Sequence, residues 1–167
     1  MNKPDCITAI ALRDLNCLYA DTSSKRNLIQ RKMYLAQYLG IPLGYGYSWY
    51  VHGPYSPDLA RDSYRIITEI GSIDKNLKFE DEFSKIISAV NAIEDNLSNP
   101  LLKGINIVDW YTLIVDITYL FKHDFNTEEE ITNQVQNFTS KFNDEQIKLG
   151  CLTFVDLNNA FDFFKNF

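Results

Sequence analysis

The hydrophobic positions of this chain recur mostly at the spacing of α-helices. Between residues 7 and 18, and again between residues 29 and 39, apolar side chains follow one another at intervals of three or four residues, which places them on one face of a helix. The same spacing continues through the second half of the chain. Helices are predicted over residues 7–19, 27–39, 57–70, 80–97 and 108–121, with two more that begin after Thr127 and after Asn143.

Polar residues mark where several of these helices begin. Ser23 or Ser24 is expected to cap the second helix, and Ser56, which precedes a proline, is expected to start the third. Thr127 and Asn143 are each followed three residues later by Glu or Gln, the spacing of a capping box. The last two helices are therefore expected to begin at these capping residues.

One segment departs from the helical pattern. Residues 43–51 follow a group of glycines and prolines and are rich in Tyr, Trp and Val, which favour β structure. We expect a short strand or hairpin there, followed by a rigid turn at Gly53–Pro54. A helix pair followed by a hairpin is also the element order of winged-helix proteins.

The pattern as a whole predicts a mainly α fold. A chain of 167 residues, 46% of them hydrophobic, can bury one good core. We expect a single compact helical domain spanning residues 1–167, with about six or seven helices and a small β-hairpin near residues 43–51. The helix pair, hairpin and turn would occupy residues 1–75, and the remaining helices residues 76–167.

The aromatic residues of the strand segment are more numerous than a short strand needs. Alternation would bury Tyr47, Trp49 and Val51 on one face and leave Tyr50 on the other. Exposed aromatics act as anchors at protein interfaces, whereas buried ones pack in the core, and both interpretations stay open. The candidate partner-binding residues are Tyr45, Trp49, Tyr50, His52 and Tyr55.

One basic cluster lies at the second predicted helix. It consists of Lys25, Arg26, Arg31 and Lys32. On the second helix of a pair followed by a hairpin, these cations have the placement of a DNA-contacting surface in a winged-helix regulator. A solvated helix face is the alternative interpretation.

The net charge of −6 is unevenly distributed. Residues 1–75 carry nine Lys and Arg against seven Asp and Glu, whereas residues 76–167 carry seven against fifteen. An acidic surface repels phosphate backbones and attracts basic partners. Any nucleic-acid contact is therefore expected in the first half, and a basic partner protein would be drawn toward the second half.

Residue types that build catalytic or metal centres are few. The sequence contains two histidines and three scattered cysteines, and it lacks ligand spacings and phosphate-binding glycine loops. We expect no metal, no cofactor and no enzymatic activity. Asp109, Asp116 and His123 recur every seven residues on the central helix, where they would form its solvated stripe or, alternatively, face a cleft together. His52 is interpreted as a residue that stabilises the Gly-Pro turn, with a proton-transfer or binding role as the alternative.

Cysteine usage and hydropathy suggest a location. The cysteines are odd in number, no secretory signal is recognised at the start, and the longest apolar stretch, residues 108–121, is too short to cross a bilayer. A reduced cytoplasm without a membrane span is expected. The aromatic residues Phe163, Phe164 and Phe167 suggest a homodimer as a further alternative.

The residues from Arg31 to Asp62 resemble the bacterial YwgA-like proteins, which are related more distantly to SocA/Panacea-type antitoxin and proteolysis-adaptor domains. The shared pattern is a basic-hydrophobic helix, a glycine-punctuated aromatic strand and a W-x-x-x-G-P-x-S-P-x-L turn. Here it is carried by Lys32, Tyr34, Leu35, Trp49, Gly53, Pro54, Ser56, Pro57 and Leu59. The stretch from Trp110 to Gln146 is also similar to the end of YwgA-like chains.

This resemblance implies a helical domain with a small hairpin and without established catalytic residues. The distant antitoxin relatives act by binding a toxin. The function expected from the sequence is therefore a protein-binding regulator of the antitoxin or adaptor kind, with a toxin, effector or protease-type partner, in a stress or phage-defence locus. A winged-helix-like DNA-binding regulator is the alternative, and an enzyme is the remote one.

Overall fold

Seven α-helices and one β-hairpin follow one another in the computed structural model, which describes residues 2–51, 53–69, 71 and 74–162. The helices are α1 (Lys3–Asp14), α2 (Ser23–Leu39), α3 (Pro57–Glu69), α4 (Asp81–Ala92), α5 (Ile107–Lys122), α6 (Glu128–Phe138) and α7 (Asp144–Ala160). Between α2 and α3 lie the strands β1 (Ser48–Tyr50) and β2 (Gly53–Tyr55), and two 3₁₀ helices, Ile93–Ser98 and Pro100–Leu102, connect α4 to α5. The prediction of a mainly α fold with a small hairpin is confirmed.

Helix α5 runs through the middle of the core. Its side chains are mostly apolar or aromatic, and Trp110, Leu113, Ile114 and Ile117 are fully buried. It packs against α2, α6, α7 and β2, so residues from both halves of the chain share one core. The most apolar of the described helices therefore lies at the centre of the core.

Helix α1 begins and ends earlier than the predicted span of 7–19. Asn2 caps it, since its side-chain oxygen accepts a hydrogen bond from the amide of Asp5 at 3.0 Å. It ends at Asp14 because Asn16 adopts a φ of 58°, a left-handed conformation that interrupts an α-helix.

Helix α2 begins at Ser23, four residues before the predicted start at residue 27, and it has a different cap. The hydroxyl of Thr22 accepts a hydrogen bond from the amide of Lys25 at 3.2 Å, and Ser23 and Ser24 already belong to the helix. The expectation that one of these serines is the cap is wrong. Threonine has the same capping chemistry as serine, so sequence alone could not distinguish between these neighbouring hydroxyls.

The other predicted helix starts are confirmed. The hydroxyl of Ser56 accepts a hydrogen bond from the amide of Leu59 at 3.2 Å, and α3 begins at the next residue, Pro57. The capping boxes at Thr127 and Asn143 are both present. The predicted helix 80–97 is α-helical only to Ala92 and continues as a 3₁₀ helix.

The hairpin is shorter and lies later than expected. Residues 41–47 are not strand, and β1 pairs antiparallel with β2 so that Trp49 is opposite Pro54 and Tyr50 is opposite Gly53. The Gly53–Pro54 pair, predicted as a rigid turn, is therefore part of the second strand. A proline fits there because a two-stranded sheet has an unpaired edge where no amide is required.

The hairpin is fixed to the helices by its second strand. Strand β2 contacts both α2 and α5, and its residues Gly53 and Pro54 are buried, whereas Trp49, Tyr50 and Val51 are exposed. Among the described residues, no helix is long and apolar enough to cross a membrane.

Candidate binding site beneath the hairpin

A cavity of about 350 Å³ lies between the hairpin and the helices that carry it. Its lining comes from α2, from the hairpin, from one side of α5 and from the segment that follows α6. Arg31, Thr112 and Asp116 supply its polar inner lining, and Trp49 and Phe138 supply aromatic lining. We call this space the hairpin cavity.

Arg31 is buried beside this cavity and fastens the hairpin to α2. Its side chain is only 3% exposed, and its guanidinium donates to the carbonyl oxygen of Pro54 at 2.6 Å and to the hydroxyl of Thr112 at 3.2 Å. Burial lowers the pKa of Arg31, while Asp116 and Tyr47 oppose this shift. An arginine stays charged in proteins, so a positive charge lies at the inner end of the cavity.

The other candidate cations do not form one exposed surface with Arg31. Lys32 is buried, where its ammonium donates to the carbonyl oxygen of Leu15 at 3.0 Å and to Asn91 Oδ1 at 3.2 Å. Lys25 forms an exposed ion pair with Asp21. The interpretation of Arg31 and Lys32 as part of a solvated or DNA-contacting helix face is wrong, because both side chains point into the protein.

Arg26 is exposed, and it is also engaged locally. Its guanidinium donates to the carbonyl oxygen of Ala20 at 2.9 Å. Of the four basic residues proposed as a phosphate-binding cluster, Lys25 and Arg26 are therefore the two that lie on the surface. Two cations give a weak electrostatic contact with DNA, because affinity rises with the number of phosphates neutralised.

Asp116 is the second buried charge-bearing group at the cavity. Its side chain is 5% exposed, and its Oδ1 atom has no hydrogen-bond partner among the described residues. Burial raises the pKa of Asp116 to about 8, although the positive charge of Arg31 opposes the shift. The carboxyl group is therefore mostly protonated at neutral pH, and its expected place on a solvated stripe of α5 is wrong.

Of the other two members of the seven-residue series, Asp109 also lines the hairpin cavity and His123 does not. Asp109 lines the hairpin cavity and pairs with Lys141, whose ammonium lies 2.9 Å from its carboxylate. His123 is exposed, stacks on the ring of Tyr119 and lines a different cavity. The series therefore brings Asp109 and Asp116 to one cavity without His123.

Gly53 lies directly against Asp116 and has to be glycine. Its φ is +100°, a conformation that other residues rarely adopt. A Cβ atom at this position would also overlap the Oδ1 atom of Asp116. The glycine of the sequence motif is thus explained by the close approach of the hairpin to α5.

The tip of the hairpin exposes three consecutive large side chains. Trp49 is 39% exposed, Tyr50 59% and Val51 84%. Tyr50 lies outside the core as predicted, but the expected burial of Trp49 and Val51 is wrong. All three residues of β1 are exposed, and Val51 belongs to the turn that follows. We call Trp49, Tyr50 and Val51 the hairpin tip.

Trp49 is the member of the hairpin tip that also packs on the helices. Its ring lies 5.3 Å from that of Tyr119 and 4.9 Å from that of Phe138, measured between centroids. Aromatic pairs at such distances are favourable. These contacts hold Trp49 in place, while Tyr50 has its ring contact within the hairpin, 5.5 Å from Tyr55.

The remaining aromatic candidates have structural contacts. The Tyr45 hydroxyl lies 3.1 Å from the hydroxyl of Thr8 and donates to Asp62 at 3.3 Å, so this side chain connects α1 with α3. Tyr55 is half-buried. His52, also a candidate, lies outside the described residues.

The contacts of Gln30 with the hairpin could not be anticipated from the sequence. Its amide nitrogen donates to the carbonyl oxygen of Ser56 and its amide oxygen accepts from the Ser56 amide, both at 2.9 Å. Gln30 and Arg31 are neighbours on α2, and together they bind the backbone at Pro54 and Ser56. The only sequence signal is the basic cluster, which contains Arg31 and lies next to Gln30, and that cluster suggests a DNA-contacting or solvated helix face instead.

The described residues contain no group of three or more His, Cys, Asp or Glu side chains that could hold a metal ion. No family model, curated protein or solved structure matches the chain. The resemblance to YwgA-like and SocA/Panacea-type proteins therefore stays a prediction. The assignment of the candidate site therefore depends on the arrangement of residues around the hairpin alone.

Proposed function

We propose that this chain is a non-enzymatic, protein-binding regulator of the antitoxin or adaptor kind, and that it contacts its partner with the hairpin tip. The observation that supports this most directly is the exposure of Trp49, Tyr50 and Val51 in succession. Exposed aromatic residues are typical anchors of protein interfaces, because they bury a large area with few rotatable bonds.

The attachment of the hairpin suits it to binding. Gln30 and Arg31 hold the backbone on the β2 side of the hairpin, and Trp49 packs against Tyr119 and Phe138. A partner would therefore meet side chains that are already positioned. Binding by a preorganised element loses less conformational entropy than binding by a mobile loop.

The charge distribution favours a basic partner. Residues 76–167 carry seven Lys and Arg against fifteen Asp and Glu, and complementary charge accelerates association more than it strengthens the final complex. The resemblance of Arg31–Asp62 to antitoxin and adaptor relatives supports a protein partner, namely a toxin, an effector or a protease-type protein. We expect the association rate to fall as the salt concentration rises.

Site-specific photo-crosslinking in the native host tests the proposal. A photoreactive amino acid replaces Tyr50 in one variant and Tyr19 in another, because Tyr19 is a comparably exposed tyrosine outside the hairpin. We expect one protein to be crosslinked through position 50 and not through position 19. Equal crosslinking at the two positions, or none at position 50, would overturn the proposal.

The captured protein is then purified and mixed with this chain. A one-to-one complex that forms with wild type and Tyr19→Ala but weakens with Tyr50→Ala supports the assignment. If the purified proteins do not associate, or if Tyr50→Ala binds as wild type does, the hairpin tip is not the contact surface. The two variants are matched in residue type and exposure, so a general loss of surface tyrosine would affect both.

A further inference from the structure

The hairpin cavity has a polar lining that partner docking through the hairpin tip does not use. We propose that this cavity binds a small organic carboxylate, with its carboxylate group beside Arg31 and Asp116 and its apolar body against Trp49 and Phe138. The proposal goes beyond the regulator function and can be tested separately from it through Tyr50, which does not line the cavity, whereas Trp49 and Val51 of the hairpin tip do.

The first argument is the unpaired oxygen of Asp116. Asp116 lines the cavity, and its buried Oδ1 atom, which lies against Gly53, has no hydrogen-bond partner among the described residues. Buried polar atoms are nearly always paired, so one without a partner marks a place where a hydrogen-bonding group is expected. A protonated carboxyl group can donate to a ligand oxygen.

The second argument is the charge around the cavity. Among the described residues, the titratable groups that line it are Arg31 from α2, Asp109 and Asp116 from α5, and Lys141 from the segment after α6. Asp109 and Lys141 form an ion pair and offset each other. Because Asp116 is mostly protonated at neutral pH, Arg31 leaves the described part of the cavity with a net positive charge.

The phenols near these groups do not change that balance. Tyr34 interacts with Asp116 and Tyr47 with Arg31, and burial raises the pKa of both phenols. Both therefore stay neutral near pH 7. The positive charge of Arg31 would repel a cationic ligand in the cavity and attract an anionic one.

The third argument is the shape and apolar lining of the cavity. A volume of about 350 Å³ lies at the small end of the range for ligand sites, which is roughly 300–1,000 Å³. The aromatic rings of Trp49 and Phe138, with Val108, provide apolar surface next to the polar groups. This combination fits a compact acid with an aromatic or aliphatic body.

Nuclear magnetic resonance titration with phenylacetate tests the proposal. The indole N–H signal of Trp49, identified with Trp49→Phe, reports binding at the cavity. We expect phenylacetate to shift this signal with a Kd about tenfold or more below that of phenylacetamide, its uncharged counterpart. Phenethylamine, which carries a positive charge, should not shift it. If phenylacetate does not bind, or binds no better than the amide and the amine, the proposal is wrong.

Variants locate the binding and separate it from partner docking. Trp49→Ala should weaken phenylacetate about tenfold, whereas Tyr50→Ala should leave its affinity unchanged. Asp116→Asn keeps a hydrogen-bond donor without a charge, so it should retain binding at pH 7. It should also remove the loss of affinity that wild type shows as the pH rises through about 8. Equal pH profiles of wild type and Asp116→Asn would contradict the placement of the ligand.

A carboxylate can belong to a free acid or to the end of a partner chain. The tripeptide Gly-Gly-Phe is therefore titrated with a free and with an amidated C-terminus. Tighter binding of the free-ended peptide than of phenylacetate identifies a chain end as the ligand, and the reverse order identifies a small molecule. Both results support a carboxylate site, and failure of both probes overturns it.

Discussion

The side chain of Gln30 and the backbone of Ser56 form a reciprocal pair of hydrogen bonds, both 2.9 Å long. Arg31, the next residue on α2, donates to the carbonyl oxygen of Pro54. Two consecutive side chains of one helix thus hold β2 and the start of α3. The position of the exposed hairpin tip is a consequence of these buried contacts.

Replacing Gln30 by methionine should destabilise the protein by about 2 kcal/mol, because it leaves the buried amide of Ser56 unpaired, while the Ser56 carbonyl oxygen still accepts from the amide of Ala60. Gln37 provides a matched control, since its amide makes the same pair of bonds with the backbone of half-buried Tyr45. Gln37→Met should cost about 1 kcal/mol, because water can reach Tyr45. Urea unfolding of both variants measures the difference, and equal losses would contradict this account.

Gly53→Ala should destabilise the protein by roughly 2–4 kcal/mol, since alanine is strained at a φ of +100° and its Cβ would overlap Asp116. Gly46→Ala is the control, because its Cβ would meet nothing within 4 Å; its effect should stay within about 0.5 kcal/mol. Thermal or urea unfolding measures both. In an Asp116→Ala background the loss caused by Gly53→Ala should shrink, and an unchanged loss would argue against the contact.

Asp116 should make the free energy of unfolding depend on pH. Its folded pKa of about 8 lies above the unfolded value of about 3.9, so the folded state holds the extra proton between these limits. Stability contributed by this group is complete at low pH and is lost as the pH rises toward 8, by at most about 1.4 kcal/mol per pH unit. Wild type and Asp116→Asn are compared by urea unfolding at pH 5, 7 and 9.

The stability of Asp116→Asn relative to wild type should increase from pH 5 to pH 9, because the amide does not ionise. Groups whose pKa is lowered in the folded state, such as Asp5 and Glu130, are present in both proteins and cancel in the difference. A difference that stays constant over this pH range would mean that Asp116 is not a protonated, buried carboxyl group.

The hairpin tip should contribute little to folding apart from Trp49. Tyr50→Ser and Val51→Ser should each change the free energy of unfolding by less than about 0.5 kcal/mol, because both side chains are exposed. Trp49→Ala should cost about 1–2 kcal/mol through its lost contacts with Tyr119 and Phe138. Chemical unfolding of the three variants checks this order, and a large loss for Tyr50→Ser would assign the tip a structural role.

Local signals explain which parts of the fold could be predicted. Ser56, Thr127 and Asn143 cap helices with atoms three residues away, so their role is visible in a short stretch of sequence. The hairpin lies later than the sequence predicts because the Gln37 side chain, rather than a second strand, pairs with the backbone of Tyr45. That pairing forms because the chain after α2 folds back against the helix, and no local sequence pattern indicates it.

The burial of Arg31, Lys32 and Asp116 is not visible in the local sequence either, because it too depends on residues distant in the chain. Arg31 and Lys32 bond to carbonyl oxygens 23 and 17 residues distant in sequence, and only those partners make their burial favourable. Asp116 stands in the most apolar helix of the chain, where a carboxyl group indicates either a wet face or a buried site. Distinguishing these requires knowing that the hairpin covers that side of α5.

The most direct test of the account is the affinity of the crosslinked partner for variants of the hairpin tip. Isothermal titration calorimetry with the purified partner compares wild type, Tyr50→Ala and the control Tyr19→Ala. Loss of a central interface aromatic costs about 2 kcal/mol or more, so Tyr50→Ala should raise the Kd about thirtyfold while Tyr19→Ala leaves it unchanged. Indistinguishable Kd values for all three proteins would contradict the central claim that the hairpin tip is the binding surface.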